Sequence, residues 1–444
     1  MGHASLRPGH GTYDRLVTRL NRFPQGAPPS ERLFQILRLL LSEEEAGLLA
    51  QVPIQPFTAR RAAAIWRIPE ARAEAALEAL AARAMLLDFP QGGETRYVLP
   101  PPMAGFFEFS LMRVRGDVDQ KALAELFHQY LNVEEDFVRA LFATGETQLG
   151  RVFVDETALP RGDGLVVLDH ERASEVVRSA GAIGIGTCYC RHKMAHLGKA
   201  CDAPMEICMT FGTCAESLTR HHVARRVDAA ECLDLLQQAR ERGLVQFGEN
   251  VREQVSFICN CCGCCCEALI AARRFAFMKP VHTTHFLPDL DSAACTGCGQ
   301  CVSACPVEAF GLVSAHDPRH PAARRARLDE ARCLGCGVCV RSCRQGAIRL
   351  KPRKARVLTP ATTAHRAVVM AIERGQLAEL LVDGQSGHGH RAVAAILGAV
   401  LKLPPLKQIL ASKQLKSRYL DRLMAGDGAA RSARSAAYSS VRSR

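Results

Sequence analysis

The hydrophobic pattern near the start of the chain predicts helices followed by a hairpin. Between residues 30 and 83 apolar side chains recur at helical spacing, with a capping-box pattern at Ser42–Glu45. Two strand-like runs follow, Met85–Phe89 and Thr95–Leu99, and the Gly-Gly pair between them suits a tight hairpin turn. This order of elements predicts a winged-helix-like domain over residues 30–110.

A winged-helix shape raises the question of DNA binding. The helix that would enter the DNA groove carries Glu70, Glu74 and Glu78 at four-residue intervals, so these carboxylates form one acidic stripe. DNA phosphates attract positive side chains and repel carboxylates. The stripe therefore argues against a nucleic-acid partner and favours a docking or scaffolding role for this domain.

Further along, the pattern predicts a region of mixed helix and strand. Residues 118–145 are predicted to be helical, Gly164–Asp169 to be a buried strand, and residues 171–180 to be a helix. From Thr187 onwards cysteines become frequent. We expect a Cys-rich α/β domain over residues 118–282.

Cysteine sets the composition of this chain apart. The 444 residues include 20 Cys but one Trp and six Tyr, an excess that ordinary core packing does not explain. Twelve cysteines lie between Cys188 and Cys266, and eight lie between Cys295 and Cys343.

The chain shows no sequence signal for secretion or for a membrane span. Its first residues are polar, and the apolar run Ala392–Leu401 is ten residues long, against the roughly 20 residues that a membrane-spanning helix needs. We therefore expect a cytoplasmic protein without a membrane span, in which the cysteines stay reduced.

The net charge of +12 is concentrated in one part of the chain. Residues 351–444 contain 17 Lys and Arg against 5 Asp and Glu, so residues 1–350 are neutral overall. The same part is rich in Ala and Leu, which predicts a helical basic tail over residues 353–444. By charge complementarity this tail suits an acidic redox partner protein.

The strongest motif is a run of four cysteines that occurs twice. The first copy reads C-x2-C-x2-C-x3-C-P, and the second copy repeats the spacing 38 residues later. Such short spacing lets successive thiolates surround one inorganic cluster, and glycines between them let the backbone approach it. The eight cysteines are Cys295, Cys298, Cys301, Cys305, Cys333, Cys336, Cys339 and Cys343.

Over about Pro288 to Lys351 the sequence resembles the bacterial two-cluster 4Fe-4S ferredoxins. The resemblance implies a ferredoxin-like domain over residues 283–352 with two 4Fe-4S clusters, in which the fourth Cys of each block ligates the cluster of the other block. The implied ligands are Cys295, Cys298, Cys301 and Cys343 for cluster 1, and Cys305, Cys333, Cys336 and Cys339 for cluster 2. The chain departs from the family at Arg344, where a Pro is usual, and at His316–Arg325, an insertion predicted to be a surface loop.

A second group of cysteines does not match a zinc-finger spacing. It combines a Cys-Tyr-Cys-Arg segment that begins at Cys188 with six Cys among the eight positions 259–266. Adjacent side chains point in different directions, so only a subset can bind one metal. Three interpretations stay open: one or two further Fe–S clusters, a zinc or mononuclear site, or redox-active thiol pairs. The preferred ligands are Cys188, Cys190, Cys201 and Cys208, and the second pool is Cys259, Cys261, Cys262, Cys264, Cys265 and Cys266.

Two further cysteines stand apart from these motifs. Cys232 sits in a helical stretch beside Leu233, Leu235 and Leu236, and we predict that it packs in the core as a small hydrophobic side chain. Cys214 is ambiguous.

The chain as a whole is similar to a group of large bacterial iron-sulfur proteins. These proteins share the Cys-Tyr-Cys-Arg segment, an Ile-Cys-Asn-Cys-Cys segment and a two-cluster ferredoxin module, and the likeness covers most of the chain beyond about residue 30. It implies 4Fe-4S binding and redox metabolism without assigning a substrate. The expected fold is α+β and multidomain: a winged-helix-like domain, a Cys-rich α/β domain, a bacterial ferredoxin-like domain and a helical basic tail.

These features together predict an electron-transfer protein. The chain carries no flavin or nicotinamide fingerprint, so single electrons would pass through two 4Fe-4S clusters to a further cluster or thiol site in the Cys188–Cys266 region. Two alternatives stay open: a redox enzyme with catalysis in that region, and a redox-sensing regulator that uses the winged helix on DNA.

Overall fold

The structure is a computed structural model that describes residues 11–142, 145–159, 171–275, 281–354 and 359–381. The predicted strand Gly164–Asp169 and most of the predicted basic tail lie outside these ranges. Within them, no helix is both long and apolar enough to cross a membrane.

The N-terminal part consists of five helices and a small antiparallel sheet with the strand order β1-β3-β2. Ser42 caps α3 as predicted, because its hydroxyl accepts from the Glu45 N–H while the Glu45 carboxylate accepts from the Ser42 N–H. The predicted hairpin turns at Gly92 and Gly93, which both have positive φ. The elements are α1 (Thr12–Leu20), α2 (Glu31–Leu40), α3 (Glu43–Leu49), β1 (Phe57–Thr58), α4 (Ala59–Trp66), α5 (Glu70–Ala82), β2 (Leu87–Gln91) and β3 (Glu94–Val98).

Three further helices connect this part to the Cys-rich region. They are α6 (Phe107–Ser110), α7 (Gln120–His128) and α8 (Glu135–Phe142), with a π-helical turn at Gln129–Val133 between the last two. Leu16 of α1 and Phe127 of α7 lie in one buried cluster that also contains Tyr189 of the Cys-rich region. The N-terminal helices therefore share a core with the cysteine-bearing segment and hold it in place.

A six-stranded antiparallel sheet forms the centre of the molecule, with the strand order β4-β8-β9-β6-β5-β7. On one face α9 and α12 cover the sheet, and Cys232 of α12 is completely buried there, so its predicted core position is confirmed. The elements are β4 (Gly150–Val152), α9 (Ala173–Ser179), β5 (Ile183–Thr187), α10 (Tyr189–His196), β6 (Glu206–Phe211), α11 (Gly212–Arg220), β7 (Arg225–Val227), α12 (Ala229–Glu241), β8 (Val245–Glu249), β9 (Phe257–Cys261) and α13 (Glu267–Arg274).

The predicted ferredoxin-like segment packs beside α13, where Leu287 and Val338 join Phe247 of the central sheet in one buried cluster. Its two sheets each pair two antiparallel strands, β10 with β13 and β11 with β12. The predicted insertion lies largely in the loop 315–323, and Arg324 and Arg325 belong to β12. The elements are β10 (Phe286–Leu290), α14 (Gln300–Ala304), β11 (Phe310–Ser314), β12 (Arg324–Leu328), α15 (Val338–Ser342) and β13 (Ile348–Pro352).

The described part of the predicted tail contains α16 (Thr363–Arg374) and α17 (Leu377–Leu381). Arg366 of α16 is buried, donates to the Leu149 carbonyl at 2.6 Å and forms an ion pair with Glu249 at 3.1 Å. This helix is therefore tied to the central sheet.

Candidate metal centres

Four cysteines from both halves of the repeated motif line one small pocket in the ferredoxin-like segment: Cys295, Cys298, Cys301 and Cys343. Cys298 is exposed, so this pocket lies close to solvent. The Ala326 N–H lies 3.4 Å from Cys295 Sγ and donates to it. Hydrogen bonds of this kind stabilise thiolate ligands and tune a cluster's potential.

The other four cysteines of the repeat form a more enclosed group. Burial raises the pKa of Cys333 to about 11 and the pKa of Cys336 to about 12, and the neighbouring thiols add to both effects. Backbone N–H groups donate to Cys333 Sγ at 3.3 Å and to Cys305 Sγ at 3.2 Å. Without a cation these thiols resist ionisation, whereas a bound metal cluster stabilises the thiolate form.

Residues 294–347 match the family model of the 4Fe-4S dicluster domain. The chain carries an iron-sulfur, ferredoxin-like domain. No curated protein and no solved structure matches the chain. The residues fit the group that this domain implies, because each set offers four soft thiolate donors with N–H groups directed at the sulfurs.

A cavity of about 110 Å³ lies between the segment that contains α6 and the central sheet. Apart from the cysteines its walls are mostly apolar, with Met103, Phe109 and Met112 among them. Burial raises the pKa of the cavity residue Glu108 to about 7, so this carboxyl is partly protonated at neutral pH. Nine cysteines line the cavity: Cys188, Cys190, Cys208, Cys214, Cys259, Cys261, Cys262, Cys265 and Cys266.

The positions of these cysteines follow from the strand order. Cys208 lies in β6, and its neighbours β5 and β9 lead to Cys188 and to Cys259 and Cys261. Residues two apart in a strand share a face, so Cys259 and Cys261 point to the same side of β9. Cys266 is the residue directly before α13. The sheet thus brings together cysteines that are up to 78 positions apart in the sequence.

Six of the cavity thiols form a continuous series in which each thiol affects the pKa of the next. The order is Cys188, Cys208, Cys259, Cys261, Cys266 and Cys190. Hydrogen bonds from Cys208 and Cys261 lower the pKa of Cys259 to about 6. The bond with Cys208, together with burial, raises the pKa of Cys188 well above its ordinary value. Such a set of neighbouring soft donors suits a metal group.

Cys201 lies apart from this series, although the sequence grouped it with Cys188, Cys190 and Cys208. Its Sγ lies 3.5 Å from that of Cys262 and 3.9 Å from that of Cys265. With Cys264 they form a set of four whose sulfur atoms all lie within 4.8 Å of one another. We call Cys201, Cys262, Cys264 and Cys265 the cysteine quartet.

Cys214 also lines the cavity. Its position in the sequence did not predict this. Burial raises the pKa of its thiol to about 12. It is not a member of the six-thiol series or of the quartet.

One buried charged residue next to the cysteines, Arg191, was not predicted from the sequence. Arg191 is completely buried, and its guanidinium donates to the carbonyls of Pro204 and Asn260 and lies 3.7 Å from Cys262 Sγ. The hydrogen bond from Cys265, with the guanidinium of Arg191 beside it, lowers the pKa of Cys262 to about 4. Arg191 directly follows Cys190 in the sequence, and this adjacency was the signal that could have indicated its role.

The enclosed group of the dicluster domain faces the cavity region. Cys261 and Cys266 belong to the same buried cluster as Cys333, and Cys305 and Cys336 pack against that cluster. At the same place the backbones approach each other closely. A Cβ atom on Gly263 would lie 2.4 Å from the carbonyl oxygen of Pro306, the residue after Cys305.

Proposed function

We propose that this protein transfers single electrons between two 4Fe-4S clusters in the dicluster domain and a further iron-sulfur cluster in the cysteine-lined cavity. A bound 4Fe-4S cluster supplies one-electron redox chemistry. In the dicluster domain, the ligands of cluster 1 are Cys295, Cys298, Cys301 and Cys343, and those of cluster 2 are Cys305, Cys333, Cys336 and Cys339. The match to the dicluster domain supports iron-sulfur electron transfer.

The cavity has donors for the third cluster. The six-thiol series offers more than the four thiolates that one 4Fe-4S cluster takes. Its members are buried or half-buried, so the apolar walls keep water away from this site. We assign the cluster to ligands among these six cysteines.

A single observation supports the order of the route: cluster 2, and not cluster 1, adjoins the cavity. The exposed Cys298 places cluster 1 near the surface, where a partner protein can approach. Cys305 and Cys333 of cluster 2 pack with Cys261 and Cys266 of the cavity. Electrons exchanged with a partner protein at cluster 1 would therefore travel by way of cluster 2 to the cavity, across the contact between Pro306 and Gly263.

The N-terminal part supports this function as a docking module. Its five helices and the small sheet of order β1-β3-β2 support our proposal that it is a winged-helix-like domain. Two observations favour protein docking over DNA binding. The acidic stripe Glu70, Glu74 and Glu78 is exposed on α5. In β2, Asp88 accepts from Ser217 Oγ at 2.7 Å, so the hairpin is fixed against α11. We also propose an acidic redox partner, because the predicted tail carries the net positive charge of the chain.

The variant Gly263→Ala tests the route, with Gly311→Ala as the matched control. A Cβ on Gly263 meets the backbone of Pro306, whereas a Cβ on Gly311 meets no atom within 4 Å in the described part of the chain. After rapid reduction and freeze-quenching, EPR should show slower reduction of the cavity cluster in Gly263→Ala, with unchanged iron content. An unchanged reduction rate would show that electrons do not cross this contact.

A further inference from the structure

We propose that the cysteine quartet binds a single soft divalent cation such as Zn²⁺, at a site separate from every iron-sulfur cluster. This inference goes beyond the electron-transfer function and does not depend on it. Three of the sulfur-to-sulfur distances in the quartet are 3.5 Å, 3.7 Å and 3.9 Å.

The spacing of the sulfur atoms identifies a mononuclear site. Four thiolates around a tetrahedral Zn²⁺ lie about 2.3 Å from the metal, which places them about 3.8 Å from one another. The thiolates of a 4Fe-4S cluster each bind a different iron and therefore lie further apart. Among the residues that the structure describes, the quartet is the one group of potential ligands this compact. No three of the eight cysteines of the dicluster domain form a group this compact.

The quartet joins two segments that are distant in the sequence. Cys201 lies between α10 and β6, and the other three members lie in the turn between β9 and α13. An ion at this position would fasten the first segment to the second, because each of the two supplies ligands. The turn at residues 262–265 also carries Gly263, which contacts Pro306 of the dicluster domain. The ion would thus hold the turn that lies between the cavity and cluster 2.

The charge around the quartet suits a metal with four thiolates. A divalent ion with four thiolate ligands carries two net negative charges, which need nearby compensation when partly buried. Arg191 provides one positive charge at 3.7 Å from Cys262 Sγ. The carbonyls of Pro204 and Asn260, which come from the two joined segments, hold its guanidinium in place. Arg191 is therefore a positioning residue for this site.

The quartet is also accessible to an ion from solution. Cys264 is exposed, and Cys201 and Cys262 are half-buried, in contrast to the completely buried Cys265. An ion can therefore enter after folding without passing through the cavity.

The test measures zinc, iron and acid-labile sulfide in anaerobically purified full-length protein and in Cys201→Ser and Cys264→Ser. We expect one zinc ion per chain in the unchanged protein, loss of that zinc in both variants, and unchanged iron and sulfide. Cys214→Ser is the matched control, because this half-buried cysteine is outside the quartet and should retain the zinc.

Two results would overturn the proposal. Loss of iron and sulfide from Cys264→Ser would show that the quartet ligates a cluster. Absence of zinc from the unchanged protein, with four alkylatable thiols or a disulfide at these positions, would show that it is a thiol site. A further readout needs no mutation: protein grown with Co²⁺ should show the absorption bands of tetrahedral cobalt bound to thiolates. Loss of electron transfer alone would leave the zinc content unchanged. A failure of the proposed function and a failure of the zinc site would therefore give different results.

Discussion

Lys193 and Glu267 form an ion pair that is buried beside the cysteine-lined cavity, with side-chain exposures of 0% and 7%. Asn132 bonds to both partners, accepting from Lys193 Nζ at 2.6 Å and donating to the Glu267 carboxylate. Asn132 lies in the turn between α7 and α8, Lys193 in α10, and Glu267 at the start of α13. This network therefore joins the connecting helices α7 and α8 to both cysteine-bearing segments.

The variant Lys193→Met should destabilise the protein strongly. It leaves the Glu267 carboxylate buried without its cation, which typically costs about 3–5 kcal/mol. Denaturant unfolding under anaerobic conditions measures this change. The matched control is Lys351→Met, because the ion pair of Lys351 with Asp289 is 50% and 60% exposed and such pairs contribute about 0–1 kcal/mol. Equal losses in the two variants would contradict this interpretation of the buried pair.

His282 should make the stability of the protein depend on pH. Burial, with the charge of Arg151 nearby, lowers the pKa of His282 to about 4, and its Nε2 accepts from the Gln148 N–H at 3.2 Å. The unfolded chain binds this proton at a pKa of about 6.5. The stabilisation is therefore complete above about pH 6.5 and is lost as the pH falls towards 4, by up to about 3 kcal/mol.

Unfolding measured across this pH range should show a flatter profile for His282→Gln than for the unchanged protein. His320→Gln is the control, because His320 is exposed in the loop 315–323. If His282→Gln kept the full pH dependence, another group would be responsible for it.

Two single cysteine substitutions should differ sharply in their effect on iron. Cys298→Ser should remove the EPR signal of one 4Fe-4S cluster and perturb that of its neighbour, because Cys298 lines the pocket that we propose for cluster 1. Cys232→Ser should leave the iron content unchanged, because Cys232 is completely buried among Ile183, Met209 and Ile258. Loss of iron from Cys232→Ser would show that this thiol is a ligand.

The features that could be predicted from the sequence are local ones. The capping box at Ser42, the hairpin at Gly92 and the cysteine spacing of the dicluster domain each depend on residues a few positions apart. Short-range geometry and the identity of the side chains are enough to specify them.

The parts that escaped prediction depend on long-range pairing. The sheet order that places β6 between β5 and β9 decides which cysteines meet in the cavity, and no local pattern encodes that order. The same holds for Cys201, whose partner Cys262 is 61 positions away. Arg191 was missed because a buried arginine looks like a surface residue until its neighbours are known.

The most direct test of the central claim is the amount of iron and acid-labile sulfide per chain in anaerobically purified protein, together with low-temperature EPR after reduction by dithionite. With about four irons per cluster, three clusters give about twelve irons. We therefore predict about twelve irons and three reducible centres, one of them lost when Cys259 and Cys261 are replaced by Ser. About eight irons, with signals from the dicluster domain alone, would contradict a cluster in the cavity and a route that ends there.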